Sequence, residues 1–147
     1  MRLILLIAVG SLLCSYAQGE INVPTQRGDN QRSGVNLEET QLDHQSVRTR
    51  FAKLWTLYSD AKVMAQPLYV SNMKSERCPQ GCNTVIFGSM KGTVYAYLAD
   101  QRPTTVNDTL VWAKYLGPPR QGGHDIDWWA TDDPWWGILG TPALDGG

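Results

Sequence analysis

From Phe51 onward the apolar positions of this chain come in short bursts, each bounded by Gly, Pro, Asn or Asp. Five runs stand out: "FAKLWTLYS", "AQPLYV", "TVIFGS", "TVYAYLA" and "TLVWAKYL". They are rich in β-branched and aromatic residues and short enough to read as strands. In the first, Ala52, Leu54 and Thr56 alternate with Phe51, Trp55 and Leu57, the period-two pattern of a half-buried strand. Residues 18–50 are polar by contrast and read as an irregular lead-in, with "LEETQLDHQSV" at most a short helical turn. No long amphipathic helical pattern follows, so the expected class is all-β.

The closest pair of runs, Thr84 to Ser89 and Thr93 to Ala99, predicts a hairpin in which Gly92 supplies the backbone angle of the turn. One hairpin cannot bury its apolar face alone, so its neighbours matter. Pro67 lacks the N–H that a ladder needs and belongs at a strand start or sheet edge. "AQPLYV" therefore opens a four-stranded unit and "TLVWAKYL" closes it. The small-Pro-apolar layout of "AQPLYV" returns in "GTPALD", with Pro67 and Pro142 standing 75 positions apart. Likewise "KLWTLY" before the unit matches "LVWAKY" at its end. Serial four-stranded antiparallel units are the signature of a β-propeller. The expected fold is thus all-β, built of four-stranded antiparallel β-propeller blades and incomplete in this chain. Residues 51–147 hold the last strand of a closing blade, one whole blade and the first strand of the next.

The N-terminus changes where this fold would operate. "MRLILLIAVGSLLCSYAQGE" carries one basic residue, an apolar run from Leu3 to Leu13 and small residues before a polar continuation. That is a secretory signal, residues 1–17, with cleavage expected between Ala17 and Gln18. Its apolar run is too short to span ~30 Å of hydrocarbon, so no stable membrane insertion is expected. Export, to a periplasm or the extracellular space, governs how the cysteines are read. Cys14 leaves with the signal, and Cys78 and Cys82 in "CPQGC" face each other across a Pro-Gly turn. In an oxidising compartment they are expected to pair as a hairpin staple. Zinc would need about four ligands, and a redox dithiol usually has two intervening residues rather than three. The net charge of −1 supplies no field for nucleic acid or an anionic membrane.

The runs "AQPLYV", "NTVIFGSMKGTVYAYLAD", "LVWAKYL" and "GILGTPALD" together resemble the quinoprotein-like (PQQ-like) β-propeller repeat family. Blades of that family run small-Pro-apolar strand, apolar strand ending near Gly-Ser, "G-x-[VL]-Y-A-[LF]-D", then a Trp strand. Pro67, Gly92, Tyr95, Ala96, Trp112 and Pro142 stand at motif positions, with Val94 and Tyr97 between them, and Trp112 would be the docking tryptophan. The segment "DNQRSGVNLEETQL" looks like the lead-in of exported members. Leu98 stands where the motif usually has Asp, and "DQRPTTVNDT" replaces a tight Thr-Gly turn. Propellers close with ~4–8 blades, so the resemblance implies that the remaining blades belong to a longer chain.

Local composition is most unusual in "GGHDIDWWATDDPWWG", which holds four of the six Trp, at 128, 129, 135 and 136. It also holds Asp125, Asp127, Asp132 and Asp133. As a ligand platform, the indoles would stack on sugars or planar cofactors and the carboxylates would bind a cation. As packing, paired Trp would fill the groove between blades and the Asp would cap turns. The packing reading is the weightier, because Trp is mostly a packing residue in propellers, and as a Ca²⁺ site the Asp spacing lacks the Gly and terminal Glu of a known loop. His44 and His124 lie far apart, with no nucleophile arrangement that completes a triad. "NDT" at Asn107 matches an N-glycosylation acceptor, and Arg48, Arg50 and Lys53 read as a solvated face.

Two function classes follow. One is an exported, non-catalytic propeller serving as a binding or assembly scaffold for protein or carbohydrate. The other, implied by the resemblance, is a PQQ- and Ca²⁺-dependent alcohol or sugar dehydrogenase. Such enzymes commonly carry adjacent cysteines over the cofactor, whereas Cys78 and Cys82 are not adjacent. Most ligands of the cofactor would also lie in blades outside this chain. The scaffold is the favoured expectation, with no catalytic residue assigned and no cofactor expected.

Overall fold

The computed structural model describes residues 22–37, 39–121 and 135–144. Its centre is a four-stranded antiparallel sheet in which each strand pairs with the next: β1 (Leu68–Met73), β2 (Cys82–Gly88), β3 (Thr93–Leu98) and β4 (Leu110–Tyr115). The four strands fall within a residue or three of the runs expected from patterning. Pro67 directly precedes β1, where its missing donor costs no ladder bond. The described chain is mostly sheet, with one short helix, α1 (His44–Arg50), and a two-residue ladder between β5 (Arg120–Gln121) and β6 (Trp135–Trp136).

Alternation along each strand splits the side chains between two faces. Leu68, Ile86 and Ala96 form one row across the sheet, cross-strand neighbours by register. They make a buried cluster covered by Leu144 from outside the sheet. Trp112 continues the row opposite Ala96, so the small side chain at Ala96 sits between two large ones. On the opposite face Phe87, Tyr95 and Tyr97 stack. The Phe87 and Tyr97 rings are 5.9 Å apart and nearly parallel at 9°, and Leu57 packs over the cluster. Both faces are therefore apolar and both need cover.

The β2–β3 connection is a three-residue turn, Met90-Lys91-Gly92. Ser89 N–H donates to Thr93 O (2.9 Å) and Gly92 N–H donates to Ser89 O (3.0 Å). Gly92 has φ +83°, the left-handed angle this turn needs at its third residue. Three other segments fix the turn. Met90 N–H donates to Lys62 O (2.9 Å), Ile138 N–H to Ser89 O (3.2 Å) and Leu116 N–H to Gly92 O (2.9 Å).

Several segments depart from the patterning. Phe51–Ser59, expected as the last strand of a preceding blade, has no ladder, and neither do residues 140–144, expected as the first strand of the next. A strand is stable only when its backbone groups have partners along its length, and among the described residues neither segment has more than the single backbone bond from Leu144 N–H to Pro24 O (2.8 Å). The alternating side chains serve as cover instead, with Leu57 on one face and Leu144 on the other. The lead-in is also more ordered than its polarity implied. Asp43 caps α1 by accepting from Ser46 N–H (2.6 Å), while Ser46 Oγ accepts from Asp43 N–H (2.8 Å), a reciprocal capping box. The helix runs past Val47 to Arg50, and Arg48 and Arg50 in its last turn suit its C-terminal dipole. Arg48, Arg50 and Lys53 are exposed, as expected of a solvated face. Val23 bridges to Tyr69 on the outer edge of β1, donating to Tyr69 O at 2.8 Å, and Asn22 Oδ1 accepts from Ser71 N–H (2.8 Å). That covers an edge that would otherwise present unpaired groups.

Candidate functional site

The residues singled out from composition are only partly brought together. Trp128, Trp129, Asp125, Asp127, Asp132 and Asp133 lie outside the described residues, as does the stretch expected as a signal, with Ala17 and Gln18. Trp135 and Trp136 are half-buried in β6, opposite Gln121 and Arg120. They lead into Gly137, where a Cβ would lie 2.4 Å from Met90 O, so the chain passes this point in close contact with the β2–β3 turn. Trp112 is 36% exposed on the outer strand. Among the described residues no three His, Cys, Asp or Glu side chains gather into a group that could hold a metal ion.

A cleft of about 560 Å³ lies where patterning pointed to nothing, between the extended segment Thr56–Ser59 and the β3–β4 connection at Pro103–Val106. Tyr97 and Thr109, 1% and 0% exposed, line its inner end. The lining is hydroxyl-rich, with Thr56, Ser59 and Thr104 among its members, and carries no carboxylate or cation. Tyr97 and its neighbour Tyr95 both have hydroxyls pushed above their ordinary range, first by burial. For Tyr97 the nearby Tyr58 and Asp60 add to this, and for Tyr95 the Asp60 carboxylate. Both phenols therefore remain neutral at physiological pH. Asp60 is itself anchored by the Thr93 hydroxyl, which donates to Asp60 Oδ2 at 3.1 Å. Such a lining is suited to hydrogen bonding with neutral polar groups, and its residues form no nucleophile–base pair.

One wall of the cleft is organised by Asp108. Its Oδ2 accepts from Thr104 N–H (2.5 Å), Thr104 Oγ1 (2.5 Å) and Thr105 N–H (3.1 Å). The Thr104 hydroxyl, followed by the Thr104 amide, holds the Asp108 carboxyl below the usual carboxylate range. A carboxyl whose folded value is depressed supports the loop above its unfolded value, ~3.9. It loses that support as pH falls through the lower folded value. The Thr104 and Thr105 amide resonances are expected to stay constant down to about pH 4 and to move together below it. An Asp108→Asn variant should abolish that transition. An NMR titration in which those amides titrate at or above the ordinary Asp value would contradict the arrangement.

The cysteine pair is oxidised: Cys78 and Cys82 form a disulfide with Cα atoms 5.8 Å apart. Ser75 and Cys78 exchange backbone hydrogen bonds (3.2 and 3.0 Å), leaving Glu76 and Arg77 at a two-residue tip. Cys78 to Gly81 is a second turn, closed by Gly81 N–H to Cys78 O at 3.0 Å. From the tip, Arg77 Nη1 donates to Leu110 O (2.6 Å) and Nη2 donates to Asp108 O. Sequence reasoning missed Arg77, because its partners stand 31 and 33 residues further on and no spacing rule links them. It also missed Tyr58, Thr104 and Asp108, which lie in segments read as a blade edge and a long loop. Asn107 of the "NDT" pattern is exposed in the same connection, while Thr109 is buried.

No helix among the described residues is long and apolar enough to cross a membrane, and the disulfide is compatible with an exported protein. Comparison of the chain with models of protein families, with curated proteins and with solved structures finds no match in any of the three.

Proposed function

We propose that the chain is part of an exported PQQ-like β-propeller repeat protein that serves as a non-catalytic binding or assembly scaffold. The observation that carries this reading is the β1–β4 sheet, a four-strand meander whose two apolar faces are both covered by segments from outside it. A sheet with two apolar faces is a layer made to be sandwiched, as a propeller blade is between its neighbours. Blade-motif positions fit the same reading. Pro67 precedes the first strand, Gly92 forms the central turn, Tyr95 and Ala96 are buried, and Trp112 stands on the outer strand. The remaining blades would be the scaffold's first partners, and protein or carbohydrate its ligand.

The dehydrogenase is the second reading. It is less well supported because Cys78 and Cys82 act as a loop staple rather than as an adjacent pair over a cofactor. Titrating the exported protein with pyrroloquinoline quinone and Ca²⁺, up to about 1 mM (the weakest range of specific affinity), distinguishes the two. The scaffold reading expects no saturable quenching of tryptophan fluorescence and no dye-linked alcohol or sugar oxidation. Saturable, Ca²⁺-dependent quenching accompanied by turnover would replace it with the dehydrogenase.

A further inference from the structure

The disulfide and the cleft lie at the same end of the sheet, because the β1–β2 and β3–β4 connections both leave there. Two side chains cross between them: Asn83, next to Cys82, whose Nδ2 donates to Asp100 Oδ2 (2.7 Å), and Arg77, which reaches further along the β3–β4 connection. Arg77 immediately precedes Cys78, at the tip of the Ser75–Cys78 turn that adjoins the stapled loop, and its guanidinium spans the carbonyls of Asp108 and Leu110. Asp108 in turn carries the Thr104 and Thr105 contacts that shape the cleft wall. Leu98 N–H donates to Thr109 O (2.8 Å) and Leu110 N–H donates to Asn107 O (3.2 Å), so the base of the connection is held by β3 as well.

From this connectivity we infer that the Cys78–Cys82 disulfide is a redox-sensitive latch on the cleft, acting through Arg77 as the positioning residue. With the disulfide closed, Cys78, which closes the turn bearing Arg77, is fixed against Cys82, and Arg77 is presented to both carbonyls at once. A planar fork of donors suits two acceptors in fixed relation, whereas a lysine would reach one. With the disulfide open, Pro79 to Gly81 is no longer tied across its base, and holding the guanidinium in place costs more conformational entropy. The cleft wall then loosens while the sheet remains.

The switching step is thiol–disulfide exchange with an external dithiol reductant. One thiolate of the reductant attacks a protein sulfur and breaks the S–S bond. Its second thiol resolves the mixed disulfide. Two protein thiols form, the reductant becomes a cyclic disulfide, and two electrons and two protons have passed to Cys78 and Cys82.

Hydrogen exchange of the exported protein, oxidised and after reduction with dithiothreitol, tests the latch, with amides across β2 and β3 as the internal reference. Reduction should speed exchange at Thr104, Thr105 and Leu110 about tenfold, the scale of losing one hydrogen bond to a charged group. The reference amides should be unchanged. Arg77→Met should give the same increase without reduction, and reducing that variant should add nothing further. Arg77→Lys should recover part of the protection. The inference is overturned if reduction leaves the three amides unchanged, if reduction and Arg77→Met add independently, or if the β2 and β3 amides lose protection to the same degree. The last outcome would mean that the disulfide supports the whole sheet.

Discussion

The chain from residue 18 to 147 is expected to bind a hydrophobic dye such as anilinonaphthalene sulfonate in native buffer and to melt broadly, without a sharp calorimetric peak. The expectation follows from how little is buried. The core of the described residues is Leu68, Ile86, Phe87, Met90, Tyr95 and Tyr97, with two alanines. Against it stand Phe51 at 72% exposed, Leu54 at 73% and Leu116 at 64%, with Tyr115 beside them. Each large apolar side chain left in water forfeits about 1.5–3 kcal/mol, and a small domain's whole stability is only about 5–15 kcal/mol. A handful of such side chains is therefore comparable to the whole margin. In the proposed propeller, neighbouring blades would cover them, and the longer protein should melt cooperatively. A single cooperative transition from a dye-free monomer of residues 18–147 would sink the propeller reading, since the sheet would then need no neighbours.

Gly92→Ala should unfold the central hairpin, whereas Gly28→Ala should be mild. Both glycines have left-handed backbone angles, φ +83° and +91°, so a side chain at either meets the same backbone strain of about 1–2 kcal/mol. They differ in what the new Cβ would touch. At Gly28 nothing lies within 4 Å, whereas at Gly92 the Gly117 carbonyl oxygen is 2.5 Å away. That oxygen cannot simply withdraw, because the adjacent Leu116 N–H is bonded to Gly92 O at 2.9 Å. The Gly92 variant should therefore lose roughly 3 kcal/mol or more. The readout is amide protection across β2 and β3, where each 1.4 kcal/mol is about tenfold. Equal losses in the two variants would mean that only the backbone angle matters and that Gly117 does not restrict the turn.

Much of the fold was legible because it is local. The strands at Leu68, Cys82, Thr93 and Leu110 are written in short β-branched and aromatic runs, and antiparallel neighbours joined by short connections pair by default. Gly92 is legible because only a residue without Cβ takes its angle freely. The disulfide is legible because five residues around Pro79 and Gly81 bring the thiols together without help from the rest of the chain.

The candidate site was not legible, for a physical reason that its residues share. Thr104 and Asp108 matter only because the β3–β4 connection folds back on itself. Tyr58 and Leu57 matter only because an extended segment lies over the Tyr97 face rather than pairing in a ladder. Period-two alternation tells which side chains share a face, but it does not tell whether the backbone between them finds a partner. "KLWTLY" and "TPAL" alternate or run apolar as strands do, yet within the described residues they contribute cover rather than ladder.

Sequence alone thus determined the all-β class, the four strand positions, the turn glycine and the cysteine pair, since each depends on contacts within a few residues. Tertiary structure alone decided what covers each face, that Val23 would seal the β1 edge, and that Arg77 would reach Asp108 and Leu110. Those depend on which distant backbone groups come within hydrogen-bonding distance, and no local propensity encodes that distance.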